Sequence, residues 1–311
     1  MSKRHLRTAA LFGLVMVALA ACAEEAPAPT ATIDWPTPLP PLPVSPTVNP
    51  VAPIEEGPQI HDPALGAPGV NNPTQAGLAA EGQPERDLPT VTPLPTQPLL
   101  PMMISAADGL VLRGTLYGAA VRPAPGVLLV HMRSRDRTSW EPLATRLQAA
   151  GYAVLAIDLR GYGETGGAAD WSLAQADVRA ALAQLAGLPG INAGQLVVIG
   201  ASIGANLGLN ACADQPGCTA VVLLSPGLDY RGITAADALA RMGARPVLIA
   251  ASENDDNNPA DSVTLDGMAG GDHQLVIYPA AGHGTDMFAA QPDLIDLIAE
   301  WLRARIPPPG G

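Results

Sequence analysis

Beyond residue 102 the apolar positions follow two alternating rhythms. Short uninterrupted runs stand at Val127 to His131, Ala153 to Asp158, Leu196 to Ile199, Ala220 to Leu224, Val247 to Ala251 and Leu275 to Tyr278. Their brevity and their β-branched content predict strands buried on both faces. Helical patterns fill the intervals, at Trp140 to Ala150, Ser172 to Ala186, Ile203 to Ala213, Ala235 to Met242, Ala260 to Met268 and Leu294 to Arg305. Ahead of them, Met102 to Ala106 and Leu110 to Tyr117 flank the turn Asp108-Gly109 and predict a hairpin. Strand and helix in alternation predict right-handed crossovers, hence an α/β fold: a mostly parallel, twisted sheet with helices on both faces. Ligands of such sheets bind beyond the carboxyl ends of the strands, so position along a strand sorts the candidate residues.

The first 101 residues follow neither rhythm. Lys3, Arg4 and Arg7 precede the apolar run Ala9 to Ala21, which is short for a membrane span and has the layout of a secretory signal. That run ends in Leu19-Ala20-Ala21-Cys22. It resembles the bacterial lipobox, whose cysteine becomes the lipidated first residue of the mature chain; an ordinary signal with an incidental Cys22 is the alternative. From there to Pro101 lie 20 of the chain's 33 prolines, too many for packed helices or central strands. The stretch is expected to be a disordered, extended tether, with a peptide-recognition ligand or an O-glycosylated stalk as the other readings. The expected organisation is a signal over 1–21, a tether over 22–101, one folded domain over 102–306 and a disordered tail over 307–311.

Charge and cysteines narrow the partners. A formal net charge of −12 argues against nucleic acid, while a lipid on Cys22 would hold the chain to a membrane of the bacterial envelope. In an exported protein, Cys212 and Cys218, which enclose Ala-Asp-Gln-Pro-Gly, can form a disulfide or remain two thiols.

The chemistry gathers at Gly200-Ala201-Ser202-Ile203-Gly204. This GxSxG lies between a predicted strand and a predicted helix, where a sharp turn lifts the serine to the carboxyl edge of the sheet. Flanking glycines suit a turn that presses strand and helix backbones together, and the helix N-terminus offers N–H groups to developing negative charge. With Asp158-Leu159-Arg160-Gly161-Tyr162-Gly163, the run Pro246 to Ile249 leading to Asp255, and Ala281-Gly282-His283-Gly284, the domain resembles the α/β-hydrolase family, in particular its dienelactone hydrolase and serine aminopeptidase-like members. The likeness covers the domain and none of the proline-rich stretch.

A serine hydroxyl needs a base, and the base needs a third group to orient it. Of five histidines, His5 lies in the signal and His61 in the tether. His273 precedes its strand, at the wrong edge, and His131 comes before the serine, where the family shapes its oxyanion pocket. His283 follows the last strand and is the expected base. The resemblance implies Asp255 as the acid, with Asp256 and Asp229 as alternatives. It also implies the N–H groups of Ile203 and Arg133 as the oxyanion donors, with Met132 the near alternative, because His131-Met132-Arg133 stands where many members have His-Gly.

Arg133, Arg135 and Arg137 form a basic cluster that either draws an acidic substrate or is merely solvated. Arg160 reads as structural. No cofactor or metal is expected, since the acidic loop at 253–256 lacks the glycine and glutamate of a calcium loop. Ser225 to Ile233 leaves little room for a lid, so an open site for small-molecule or peptide acyl substrates is expected. The function expected is a serine hydrolase working through an acyl-enzyme; a peptidase of the same fold and an inactive surface-binding module are the alternatives.

Overall fold

The computed structural model describes residues 97–256 and 258–310. The signal, Cys22, His5, His61 and nearly all of the proline-rich stretch lie outside the described residues.

Eight strands form one sheet: β1 (Leu99–Ser105), β2 (Val111–Tyr117), β3 (Ala124–Val130), β4 (Ala153–Ile157), β5 (Ile191–Ala201), β6 (Cys218–Leu224), β9 (Val247–Ser252) and β10 (His273–Tyr278). Their order is β1-β2-β4-β3-β5-β6-β9-β10. The pairs β1–β2 and β2–β4 are antiparallel, and every pair from β4 to β10 is parallel. A two-stranded hairpin of β7 (Asp229–Tyr230) and β8 (Ile233–Thr234) stands apart from the sheet. The helices are α1 (Glu141–Ala149), α2 (Trp171–Gly187), α3 (Ile203–Asp214), α4 (Ala236–Met242), α5 (Asn258–Asp266), α6 (Met287–Ala290) and α7 (Asp293–Arg305).

Burial explains why the central strands read as unbroken apolar runs. Every residue of β3 and of β4 is buried, because helices cover both faces of the sheet. Alternate residues of β5 face opposite layers: Val197 and Ile199 join Leu143, Leu147, Ile298 and Trp301 from α1 and α7, whereas Val198 between them meets the Cα of Gly208 on α3. Helix α7 buries Leu294, Ile298, Trp301 and Leu302, a stripe at helical spacing. Each such fully buried aliphatic side chain contributes about 1.5–3 kcal/mol relative to exposure. Helix α2 is started by Asp170, whose carboxylate accepts from the N–H groups of Ser172 and Leu173 at 3.0 and 3.2 Å.

The folded region begins earlier than the proline count suggests. Leu99 to Pro101 belong to β1, where Pro101 lies opposite Thr115. Strand β1 is an edge of the sheet, the place where a residue without an N–H is tolerated. At the end of α3, Cys212 and Cys218 are joined, with an S–S distance of 2.05 Å. The Arg245 guanidinium donates at 2.9 Å to the carbonyl of Cys212, in the last turn of α3 where carbonyls lack helical partners, and at 3.0 Å to that of Cys218 at the start of β6.

Topology fixes where a site can form. The chain leaves β3 to build β4 on one side and leaves β5 to build β6 on the other. The loops after β3 and β5 therefore part company and open a crevice at the carboxyl ends of the two strands.

Candidate active site

Ser202 stands in that crevice. Its backbone, at φ 54° and ψ −127°, falls where side chains rarely sit, and it links the end of β5 directly to the start of α3. The turn closes only without side chains on its flanks. A Cβ on Gly200 would run into the backbone of Gly204 and Ala205, and one on Gly204 into the carbonyl oxygens of Val130 and His131. The first N–H groups of a helix lack partners inside it, so Ile203 at the head of the twelve-residue α3 presents a free donor beside the serine.

His283 follows β10, and its Nδ1 lies 2.7 and 2.9 Å from the Asp255 carboxylate oxygens. A carboxylate only accepts, so Nδ1 carries the proton and Nε2 is left as the acceptor. Asp255 is largely buried, whereas Asp256 is exposed at φ 39°, and Asp229 accepts from the N–H of Gly232 in the hairpin turn. Of the three carboxylates considered from sequence, the fold brings Asp255 to the imidazole.

The acid and base loops are stitched together. The Ser252 hydroxyl donates to Asn254 Oδ1 at 2.6 Å and accepts from the N–H of Ala281 at 2.7 Å. Asn254 Oδ1 also accepts from the N–H of Gly282 at 3.1 Å, and the Ser225 hydroxyl accepts from the N–H of Gly284 at 2.9 Å. Backbone amides on both sides of His283 are thereby held, which limits how far the ring can wander from Asp255.

His131 sets the opposite wall. Its Nε2 accepts from the N–H of Leu159 at 2.9 Å, so Nδ1 carries the proton and donates to the Met132 carbonyl at 2.7 Å. Burial holds this imidazole below the ordinary histidine range, in its neutral form. In a trans peptide the N–H points opposite to the carbonyl, so fixing the Met132 carbonyl turns the Arg133 N–H away from the ring. Met132 is itself buried against Thr285, and of the two residues weighed as donor, Arg133 is the one that lines the cavity.

That cavity, of about 370 Å³, is lined by Arg133, Ser134, Ser202, Ile203, Tyr230, Arg231 and His283. A larger hollow of about 730 Å³ lies beyond Ser134, but its lining includes neither Ser202 nor His283. The smaller one is the site, because it alone of the two brings nucleophile and base to a shared space.

Tyr230 and Arg231 were invisible to sequence reasoning. They come from the β7–β8 hairpin, which occupies the place where the short connection after β6 pointed to an open rim. Asn206 Nδ2 donates to the carbonyls of Gly227 and Ile233 at 2.8 and 2.7 Å, and Asn210 Nδ2 to that of Thr234 at 2.9 Å. The Tyr230 hydroxyl accepts from Asn258 at 3.0 Å and donates to the Ser225 carbonyl at 3.2 Å. Burial pushes this phenol above the ordinary range, while hydrogen bonds from Asn258 and Ser202 pull it back. The available signal was Arg231-Gly232 between the two-residue runs Asp229-Tyr230 and Ile233-Thr234, a weak one because arginine is not a turn residue and neither run shows a strand pattern.

Arg160 is buried against Asp177, at 2.5 and 2.8 Å, and reaches Asp108 at 2.9 Å, a structural brace rather than a wall of the cavity. His273 opens β10 at the amino edge of the sheet and bonds the Gly271 carbonyl. Among the described residues no group of three or more histidine, cysteine, aspartate or glutamate side chains is placed to hold a metal.

The sheet order and the strand-to-helix serine turn define the α/β-hydrolase fold. Residues 122–250 match the family model described as Hydrolase_4, Serine aminopeptidase, S33, a stretch that includes Arg133 and Ser202 and stops before Asp255 and His283. Two uncharacterized proteins, from two strains of Mycobacterium tuberculosis, are 28% identical over 239 residues, covering 69% of this chain and 84% of theirs. Among solved structures, dienelactone hydrolase from Anabaena variabilis superposes with a TM-score of 0.57 at 24% identity, covering 67% of this chain and 98% of that one. The Pyrococcus furiosus esterase Pf2001 does so at 0.57 and 16%, covering 67% and 91%. The α/β hydrolase GrgF from a Penicillium species gives 0.59 and 16%, covering 68% and 99%.

Proposed function

We propose that this chain is a serine hydrolase that cleaves an ester-like acyl bond. The observation that carries the reading is the meeting in one cavity of a serine on a strained strand-to-helix turn and a histidine whose far nitrogen is held by a largely buried carboxylate. In the reaction, Ser202 Oγ attacks the carbonyl carbon while its proton passes to His283 Nε2, and Asp255 stabilises the resulting imidazolium. The N–H groups of Ile203 and Arg133 hold the oxyanion. The intermediate collapses as the carbon–oxygen bond breaks, and the leaving alkoxide takes the proton from His283. Water then gives a proton to His283 and attacks the acyl-serine, releasing the acid and restoring Ser202. No cofactor is needed for any step.

A peptidase is the second reading, favoured by the family model's own description; an aminoacyl anilide hydrolysed faster than a simple aryl acetate would establish it. The test of the main reading is covalent labelling of the full-length protein by a fluorophosphonate, expected to occur and to disappear in Ser202→Ala. Absence of label on the native protein overturns it, leaving a surface-binding module that kept the fold.

We also propose that the mature chain starts at a lipidated Cys22 and is tethered to the envelope by its proline-rich stretch. The charged, apolar and small-residue order before Cys22 supports this, as does the Cys212–Cys218 bridge, a bond typical of oxidising compartments. Incorporation of labelled palmitate that persists in Cys22→Ala would refute it.

A further inference from the structure

We infer that the hollow of about 730 Å³ beyond Ser134 holds the leaving half of the substrate, and that this half is an uncharged, hydroxyl-rich group of the sugar or polyol class. This deepens the serine-hydrolase reading of the neighbouring cavity and rests on it.

Position assigns the hollow to the leaving side. Ser134 lines both spaces, so a ligand seated at Ser202 continues over it from one into the other. The oxygen that departs takes its proton from His283. The chain that follows His283 makes a wall of the larger hollow, with Asp286 and Phe288. The other walls are the loop after β3 and the loop after β4, segments that only the sheet order brings together. Arg135 of the first loop forks onto Asp286 at 2.8 and 3.0 Å and ties two walls to each other. The second loop is pinned from below, where the Asp158 carboxylate accepts from the N–H of Glu164 and the Asp158 carbonyl from the Thr165 hydroxyl, both at 2.8 Å. A space framed in this way is formed before the ligand arrives, and its volume falls within the range of small-molecule sites.

The lining selects the chemistry. An anion needs donors, a cation needs acceptors and a hydrocarbon needs neither, whereas a hydroxyl donates and accepts at once. Donors and acceptors stand side by side in the hollow. Its charged residues are Arg135, Asp136 and Asp286, one guanidinium against two carboxylates, a balance that disfavours an anion. Asp136 uses one oxygen to accept from the N–H and the hydroxyl of Thr138, at 2.8 and 2.5 Å, and keeps the other. The fork onto Asp286 leaves Arg135 Nη1 with a single contact, at 3.5 Å to the Ser134 carbonyl. Among the described residues the hydroxyls of Ser134 and Tyr162 have no partner. A hydrocarbon seated there would strip water from these groups and return nothing. Tyr162 also brings a flat ring, braced edge-on by His131 at 5.3 Å and by Trp171 at 5.9 Å. The negative face of such a ring suits the C–H groups of a sugar and repels a carboxylate.

The test uses full-length Ser202→Ala, so that binding is read without turnover. Four acetates that share one acyl group are titrated by ligand-observed NMR: methyl 6-O-acetylglucopyranoside, glycerol monoacetate, cyclohexylmethyl acetate, which has a ring and no hydroxyl, and acetylcholine, which carries a cation. At least one hydroxylated ester is expected to bind roughly ten-fold more tightly than the last two, about what one or two net hydrogen bonds supply and the reverse of the order that apolar burial would give. Tyr162→Phe, which keeps the braced ring and deletes one free hydroxyl, should lower that affinity about three-fold and leave cyclohexylmethyl acetate unchanged. Ala289→Trp, which fills the hollow from an exposed position, should abolish the preference. Equal affinities, tighter binding of the apolar or the cationic ester, or a preference that survives both substitutions overturns the inference. Failure of the native serine to take up fluorophosphonate would instead strike the hydrolase reading, which the binding titration does not measure.

Discussion

The turn at Ser202 and the hairpin at Tyr230 and Arg231 face each other across one cavity, and they are built by opposite means. At the elbow, structure comes from what is missing: Gly200 and Gly204 let β5 and α3 approach until a methyl group would strike backbone on the far side. At the hairpin it comes from what is present, the amides of Asn206, Asn210 and Asn258 reaching to carbonyls and a phenol from neighbouring helices. A sterically closed turn is written in its own five residues. A hairpin hung from distant side chains is written nowhere in particular, so its two contributions to the cavity emerge only in three dimensions.

Substitutions can break the two constructions separately. The largest effect is expected for the charge partner of the base: Asp255→Asn should reduce turnover by about 10⁴-fold, by presenting the wrong histidine tautomer, while Asp256→Asn stays near the native rate. Equal losses in the two variants would remove the assignment of the acid. At the elbow, Gly204→Ala would force its methyl onto the Val130 and His131 carbonyls, and a loss of about 3 kcal/mol is expected in denaturant unfolding. At the hairpin, Asn206→Ala would strip the carbonyls of Gly227 and Ile233 of a buried donor, for a loss of about 2 kcal/mol. The comparison is sharpened by kinetics: the hairpin variant should raise KM more than it lowers kcat, the elbow variant the reverse. Tyr230→Phe, which keeps the ring and deletes a hydroxyl that accepts from Asn258 and donates to the Ser225 carbonyl, is expected to cost about five-fold in kcat/KM, within the range of neutral hydrogen bonds.

The smallest effect is one of pH. Folding holds His131 neutral by burial, below its ordinary value of 6.5, so the unfolded chain binds the extra proton first as the solution is acidified. Stability from this group is complete above about pH 6.5 and is lost as pH falls toward the folded value, by at most about 1.4 kcal/mol per unit. Thermal melts from pH 7.5 downward should show the decline, and His131→Gln should flatten it. An unchanged slope in that variant would assign the acid sensitivity to other groups.

Much of the architecture is legible in one dimension because buried parallel strands and their covering helices leave strong rhythms. The runs at Val127, Ala153, Leu196, Ala220, Val247 and Leu275 all became neighbouring strands. Strand β1 was half hidden, since Leu99 to Pro101 look like the end of a proline-rich stretch and become a strand only by pairing with Thr115 to Tyr117. The short turn Gly284–Asp286 and helix α6 left no pattern long enough to read.

Chain order and residue type thus determined the fold class, the serine at its elbow, and a short set of bases and acids from which to choose. These are local properties: a period of apolar residues, a pair of glycines, a carboxylate after a strand. The tertiary structure decided that Asp255 rather than its neighbour meets His283, that two of three clustered arginines are absorbed by carboxylates, and that Arg231 joins the third. Such pairings join residues remote in sequence, and whether a charge is free or neutralised depends on which segments the sheet order brings together.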